Sequence, residues 1–235
     1  MSDSSRLAIL KTAPGAPAGA PDDTLVVHET YASLQGESTY AGIPCVFVRL
    51  SACHLRCVWC DTPHAFDQGA RARVDDVVAG ANAFGIALVE ITGGEPLLQP
   101  GVYPVMAKLA DLGHTVLLET SGSLDVSRVD PRVVKIMDLK CPDSGEEAHN
   151  RWENLDVLGP RDEIKFVLAS RADYEWARAV IDEHRLAARW TVLLSVAHGL
   201  LSPADVAAWM VEDRSPARFQ LQMHKVIWDP SARGV

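Results

Sequence analysis

Cys53, Cys57 and Cys60 lie within eight consecutive positions, and thiols crowded in this way in an intracellular chain bind metal or carry chemistry. Five cysteines in 235 residues give an accidental triple of this kind odds of about two in a thousand. A single zinc ion wants four tetrahedral ligands, yet no second Cys-x-x-Cys or His pair completes the set, leaving His54 and His64 as candidates for a fourth. A four-iron cluster normally takes four thiolates, so a site with three leaves one iron with an exchangeable ligand. An open iron of that kind can bind a small molecule.

Other residues with chemical potential follow short apolar runs. Ile91-Thr92-Gly93-Gly94-Glu95-Pro96 places paired glycines where the backbone can approach a ligand closely, although a tight turn explains them equally well. Glu119-Thr120-Ser121-Gly122, Asp138-Leu139-Lys140-Cys141-Pro142 and Ser195 also end such runs. Upstream, Ser33-Leu34-Gln35-Gly36-Glu37 precedes a run that delivers Arg49, and Gln222-Met223-His224-Lys225 comes late. Asp61 and Thr62 directly follow the last of the three cysteines; capping of the next turn is one role open to them. Cys45 and Cys141 read as buried thiols without a ligand role.

The elements that must position these residues show an α/β pattern. Short β-branched or apolar runs at 25–30, 45–50, 87–91, 115–119, 133–138, 163–168, 190–196 and 219–222 predict strands. Stretches at 74–84, 102–112, 173–183 and 203–211 repeat apolar residues every three or four positions, as helices covering a sheet should. Ser202-Pro203 offers a helix start and Gly113 a helix stop. Alternation of this kind predicts a largely parallel sheet, with functional residues at the carboxyl ends of its strands. Residues 1–23, rich in Ala, Pro, Gly and Ser without apolar period, read as a flexible leader before a single domain over 24–235.

The segment Cys53-x3-Cys57-x-Trp59-Cys60 resembles the radical S-adenosylmethionine superfamily, and the Gly-Gly-Glu-Pro turn some thirty residues later is similar to that superfamily's cofactor motif. With Ser-Leu-Gln-Gly-Glu, Phe-Val-Arg-Leu, Cys-Asp-Thr and the late Gln-x-His-Lys, the resemblance narrows to the 7-carboxy-7-deazaguanine synthase family and spans roughly residues 29–225. It implies a partial (β/α) barrel and a carbon–nitrogen lyase that contracts 6-carboxy-5,6,7,8-tetrahydropterin to 7-carboxy-7-deazaguanine with loss of ammonia, a step toward queuosine. It also implies a 4Fe-4S cluster on Cys53, Cys57 and Cys60, and S-adenosylmethionine held by Trp59, Asp61, Gly93, Gly94, Glu95, Glu119, Ser121, Lys140 and Ser195. Glu95 and the glycine carbonyls would hold the cofactor's ammonium group. The pterin would meet Leu34, Gln35, Gly36, Glu37, Arg49, Thr92 and His224. A guanidinium can grip a carboxylate through two parallel hydrogen bonds, which suits Arg49 to the pterin carboxylate; Gln35 and Glu37 suit its donor and acceptor edge. Magnesium would sit on Thr62, with Asp61 as water-mediated support. An external reductant such as flavodoxin or ferredoxin, and a homodimer, complete the implied picture.

A formal net charge of -9 argues against a nucleic-acid partner, whose binding depends on Lys and Arg at phosphates. No apolar run approaches the roughly 20 residues that cross a bilayer, and no signal peptide opens the chain, so a cytoplasmic protein is expected. Glycyl-radical activating enzymes share the short length and the cysteine spacing but lack the Ser-Leu-Gln-Gly-Glu and Gln-x-His-Lys elements; a zinc-stabilised binding module without catalysis is the rival from another class.

Overall fold

The computed structural model describes residues 23–235; the expected leader lies outside them except for Asp23. The strands are β1 Thr24–Leu34, β2 Pro44–Leu50, β3 Ala70–Arg73, β4 Leu88–Gly93, β5 Thr115–Thr120, β6 Val134–Asp138, β7 Glu163–Leu168, β8 Thr191–Val196 and β9 Arg218–Phe219. The helices are α1 Val74–Asn82, α2 Val102–Asp111, α3 Arg171–Glu183, α4 Pro203–Glu212 and α5 His224–Ile227. All nine strands form one sheet in the order β3-β1-β2-β4-β5-β6-β7-β8-β9. From β2 to β9 every pairing is parallel, whereas β1 runs antiparallel to both β2 and β3. The sheet does not close, and β3 and β9 are its edges.

Successive side chains along a strand face opposite sides, and the sequence uses the two sides differently. On one face Val89 and Ile91 of β4 and Val116 and Leu118 of β5 join Val77 and Val78 of α1 and Val105, Met106 and Leu109 of α2 in the main core. Each such side chain, fully buried, contributes about 1.5–3 kcal/mol. The opposite, concave face begins with a smaller apolar cluster that includes Cys45, Phe47, Leu88, Leu117, Ile136 and Leu193. One layer nearer the carboxyl ends of the strands, that face turns polar with Glu90, Glu119, Asp138, Lys165 and Ser195, all on the inward parity of β4 to β8.

Several boundaries differ from the sequence expectation. β1 runs four residues past its expected end at residue 30, because Tyr31 and Ser33 continue the alternation against Phe47 and Cys45 of β2. The edge strand β3 was not foreseen; Ala70–Arg73 has little apolar signal and is defined by pairing with Thr24–Val27. β9 is Arg218–Phe219 alone and shares only Phe219 with the strand expected over 219–222. The chain beyond leaves the ladder, with Met223 N–H donating to Gly36 O at 3.0 Å. Helix α3 starts two residues early because Ser170 caps it, accepting from Asp173 N. Ser202 does precede α4, but its side chain makes no capping hydrogen bond, whereas Gly113 follows α2 with φ +88 as a helix stop requires.

Candidate active site

The carboxyl ends of the parallel strands surround a cleft of about 470 Å³. The cysteine loop, residues 51–62, forms one wall and is pinned at several points. Ala52 N–H donates to Ala65 O at 2.9 Å, Val58 N–H to Ser144 O at 3.1 Å, and Arg56 N–H to the Glu146 carboxylate at 2.6 Å. The Arg56 guanidinium also covers the Phe66 ring, 4.3 Å from its centroid. Ala52 takes a left-handed φ of 74°, an unfavourable conformation for a residue with a Cβ, immediately before Cys53.

Gly93 and Gly94 bring the end of β4 against this loop. A Cβ on Gly94 would lie 2.1 Å from Ala52 O and 2.8 Å from the Cys53 Cβ, and one on Gly93 would lie 2.1 Å from Leu50 O. In return Gly94 N–H donates to Leu50 O and Glu95 N–H to Ala52 O. The glycines are therefore required for the backbone of β4 to pack on the backbone that carries the cysteines, and both also line the cleft.

Glu95 stands apart from the expectation that it reaches the cofactor. Its carboxylate is wholly buried behind the cleft wall and accepts from Leu97 N (3.1 Å), Thr120 Oγ1 (2.9 Å), Ser121 N (2.8 Å) and Ser121 Oγ (2.6 Å). With its lone pairs so engaged, Glu95 ties the turn after β4 to the end of β5 and positions Ser121, which does line the cleft.

Cys53, Cys57 and Cys60 all face the cleft, half-buried. Burial pushes the thiols of Cys53 and Cys57 above their ordinary range, so binding a metal centre there must release protons. Among the described residues, the one set of three His, Cys or acidic side chains whose donor atoms all lie within 4.8 Å of one another is His28, Glu29 and His64. The three sulfurs are therefore spread more widely than around one zinc, where 2.3 Å bonds in a tetrahedron put sulfurs about 3.8 Å apart. Three thiols at one cleft suit a four-iron cluster that keeps one iron open. Neither histidine near the loop supplies a fourth ligand: His54 Nε2 pairs with Ser123 Oγ at 2.8 Å, and His64 packs its ring 5.0 Å from that of His28. In the His28, Glu29 and His64 group, Glu29 already holds the Arg49 guanidinium, and Arg233 adds positive charge beside His64, which opposes a cation.

The same cleft is lined by the residues expected to meet substrate. Gln35 is buried; its Nε2 donates to Glu90, and its Oε1 accepts from Glu37 N at 2.8 Å. Glu37 accepts from Lys165 Nζ at 3.0 Å and Gln222 Nε2 at 3.1 Å. Lys165 also donates to Glu119 at 2.8 Å. Burial acts to raise the Glu37 carboxyl, but Lys165 and Gln222 outweigh it and hold the value below the usual range. Glu119, with burial and Glu37 opposed by Lys165 alone, is pushed up to about 7. Arg49 donates through Nε to Glu29 and through one terminal nitrogen to the Tyr31 hydroxyl, both at 2.9 Å, leaving the rest of its fork free at the cleft. A Cβ on Gly36 would lie 2.9 Å from His224 Nδ1 and 3.3 Å from His224 N, so a bare glycine lets the early and late motifs pack this closely.

Every residue that the resemblance assigns to cluster, cofactor, substrate or magnesium, except Glu95, lines this one cleft. Asp61, at its rim, is held by Gln222 and Lys225, each at 3.1 Å, and Lys140 donates to Asp138 at 2.8 Å. Sequence reasoning missed Glu29, Tyr31, Glu90 and Lys165, and gave Asp138 and Gln222, though they lie in its motifs, no role of their own. Glu90 and Lys165 did carry a signal: each is a charge inside an otherwise apolar strand, at the inward parity of the site. The last residues, among them Pro230 and Gly234-Val235, also fold against the cleft.

Residues 48–198 match the model of the Radical SAM superfamily. A 7-carboxy-7-deazaguanine synthase from Koribacter versatilis is 46% identical over 224 residues, covering 89% of this chain and 99% of the relative. The chain belongs to the 7-carboxy-7-deazaguanine synthase family. A second member, from Chlorobaculum tepidum, is 45% identical over 90% of this chain and 97% of its own length. The crystal structure of QueE from Escherichia coli superposes with a TM-score of 0.69 at 25% identity, covering 86% of this chain and 95% of that one. Membership makes the chain a radical S-adenosylmethionine enzyme with an α/β, mostly parallel, open sheet, which removes the zinc-module and activating-enzyme readings.

Proposed function

We propose that this member contracts 6-carboxy-5,6,7,8-tetrahydropterin to 7-carboxy-7-deazaguanine with loss of ammonia, using a single catalytic domain over residues 24–235. The observation that carries the reading is one cleft lined both by three cysteine thiols and by a donor and acceptor array of buried Gln35 with half-buried Glu37, Arg49 and His224. Cys53, Cys57 and Cys60 would hold the 4Fe-4S cluster. Trp59, Gly93, Gly94, Glu119, Ser121, Lys140 and Ser195 would contact S-adenosylmethionine. Asp138 Oδ1, buried in the cleft wall without a partner among the described residues, is an acceptor suited to a ligand hydroxyl or ammonium donor. Cluster and nucleotide together supply, when bound, a carbon-centred radical able to take a hydrogen atom from the pterin.

The chain's own residues orient and enclose the pterin. Arg49, fixed by Glu29 and Tyr31, presents its free guanidinium hydrogens to the pterin carboxylate. Gln35 and Glu37, locked by Glu90 and Lys165, face the hydrogen-bonding edge, with Leu34, Gly36, Thr92 and His224 completing the enclosure. Thr62 Oγ1 makes only a long contact, 3.9 Å to Cys60 Sγ, among the described residues and is open to magnesium. Asp61, whose Oδ2 is engaged by Gln222 and Lys225, keeps Oδ1 for a bound water. A small redox protein as electron donor and a homodimeric assembly belong to the same reading.

Anaerobically reconstituted, reduced protein is expected to convert the carboxytetrahydropterin only with S-adenosylmethionine present, and faster with magnesium. The Cys57→Ala variant should be inactive; turnover unchanged by that substitution would remove the mechanism.

A further inference from the structure

Glu37, Glu90 and Glu119 converge on the concave face from the loop after β1, from β4 and from β5, and the cations near them do not match their number. Lys165 serves two of them, at 3.0 Å from Glu37 and 2.8 Å from Glu119. Arg49, the other cation facing Glu90, is paired with Glu29. Glu90 is left with a neutral partner, the Gln35 amide. Among the described residues its remaining titratable neighbours, Cys45 of β2 and Tyr31 of β1, bring no positive charge. A third buried anion beside two others, without a cation of its own, is the arrangement that proteins avoid by binding a proton.

We propose that Glu90 is kept as a neutral carboxylic acid and in that form is the positioning residue that fixes the Gln35 amide at the substrate end of the cleft. Its carbonyl oxygen accepts from Gln35 Nε2, while Gln35 Oε1 accepts from Glu37 N, so the amide cannot flip without breaking both bonds. A neutral carboxyl also carries an O–H donor, where an ionised one offers acceptors alone. Burial, then the Glu119 charge, raises the Glu90 carboxyl well above its ordinary range, consistent with that state. Raising the pH through the folded-state value ionises Glu90, sets it against Glu119 and Glu37, and loosens Gln35.

The consequence for turnover rests on the pterin reading above; the protonation state does not. In holoenzyme kinetics, Glu90→Leu should raise the pterin KM on the order of tenfold, the cost of about one lost hydrogen bond to a buried group, with a smaller change in kcat. Wild-type KM should rise at alkaline pH, and Glu90→Gln, which keeps the accepting oxygen and cannot ionise, should recover most of the Glu90→Leu loss and abolish that rise. Independently of substrate, the wild-type minus Glu90→Gln infrared difference spectrum of protein labelled with ¹³C-glutamate should show the carbonyl stretch of a protonated carboxyl at neutral pH, the part-protonated Glu119 being common to both proteins and cancelling. Absence of that band, or a Glu90→Gln variant as impaired as Glu90→Leu, overturns the proposal. If the wild-type protein does not turn over the pterin, the infrared result still decides it.

Discussion

A single guanidinium and a single carboxylate show how differently residues of one motif can act. Arg49 uses part of its fork on Glu29 and Tyr31 and keeps the rest for the cleft. Replacing it with alanine should therefore raise the pterin KM on the order of a hundredfold, the loss expected for a charge-assisted pair, while S-adenosylmethionine affinity measured by equilibrium dialysis stays near wild type. Equal losses in both would overturn the assignment. Glu95, in contrast, satisfies donors on Leu97, Thr120 and Ser121. Glu95→Gln turns an amide NH2 toward one or more of these donors and should cost about 1–3 kcal/mol in urea unfolding. Cofactor binding would weaken only as the turn holding Ser121 loosens.

Among the elements, the end of β4 is the most constrained, because its backbone lies directly on the cysteine loop. Gly94→Ala places a methyl 2.1 Å from Ala52 O, a contact that only a shift of backbone relieves. The expected outcome is a folded protein with normal helical circular dichroism that takes up markedly less iron on reconstitution. Iron content equal to wild type would show that the loop position is not set by this contact. The same physical logic explains which elements were readable. Helices α1 to α4 and the central strands carry their own apolar periodicity. β3 and the shortened β9 take their form from neighbours, and the cleft end of β1 continues because Tyr31 and Ser33 find partners on β2.

The molecule as a whole concentrates carboxylates at one end of its sheet and offsets them with Lys165. Lys165→Met would leave Glu37 and Glu119 buried without their cation, at a cost of about 3–5 kcal/mol near neutral pH, read by chemical denaturation. Part of that loss should return on acidification, since protons replace the missing charge. Wild-type protein should show a milder trend of the same sign. Glu119 has a folded value of about 7 against an ordinary 4.5, so its contribution is complete below 4.5 and is lost as the pH rises through about 7. Stability should thus fall between mildly acidic and mildly alkaline conditions, and Glu119→Gln should flatten the curve; a flat wild-type curve would contradict this account. Among the described residues no helix is long and apolar enough to cross a membrane.

By itself the sequence determined the α/β alternation, the three thiols, the glycine turn and the motifs that face the cleft, because each is written in local spacing or periodicity. Tertiary structure alone decided that Gly93 and Gly94 serve strand-to-loop packing, that Glu95 lies behind the wall, and that Glu90 and Lys165 meet Gln35 and Glu37 across the sheet. Which charges share a proton and which carboxylate is already satisfied depend on side chains brought together from distant strands, and that pairing has no signature in any single stretch of chain.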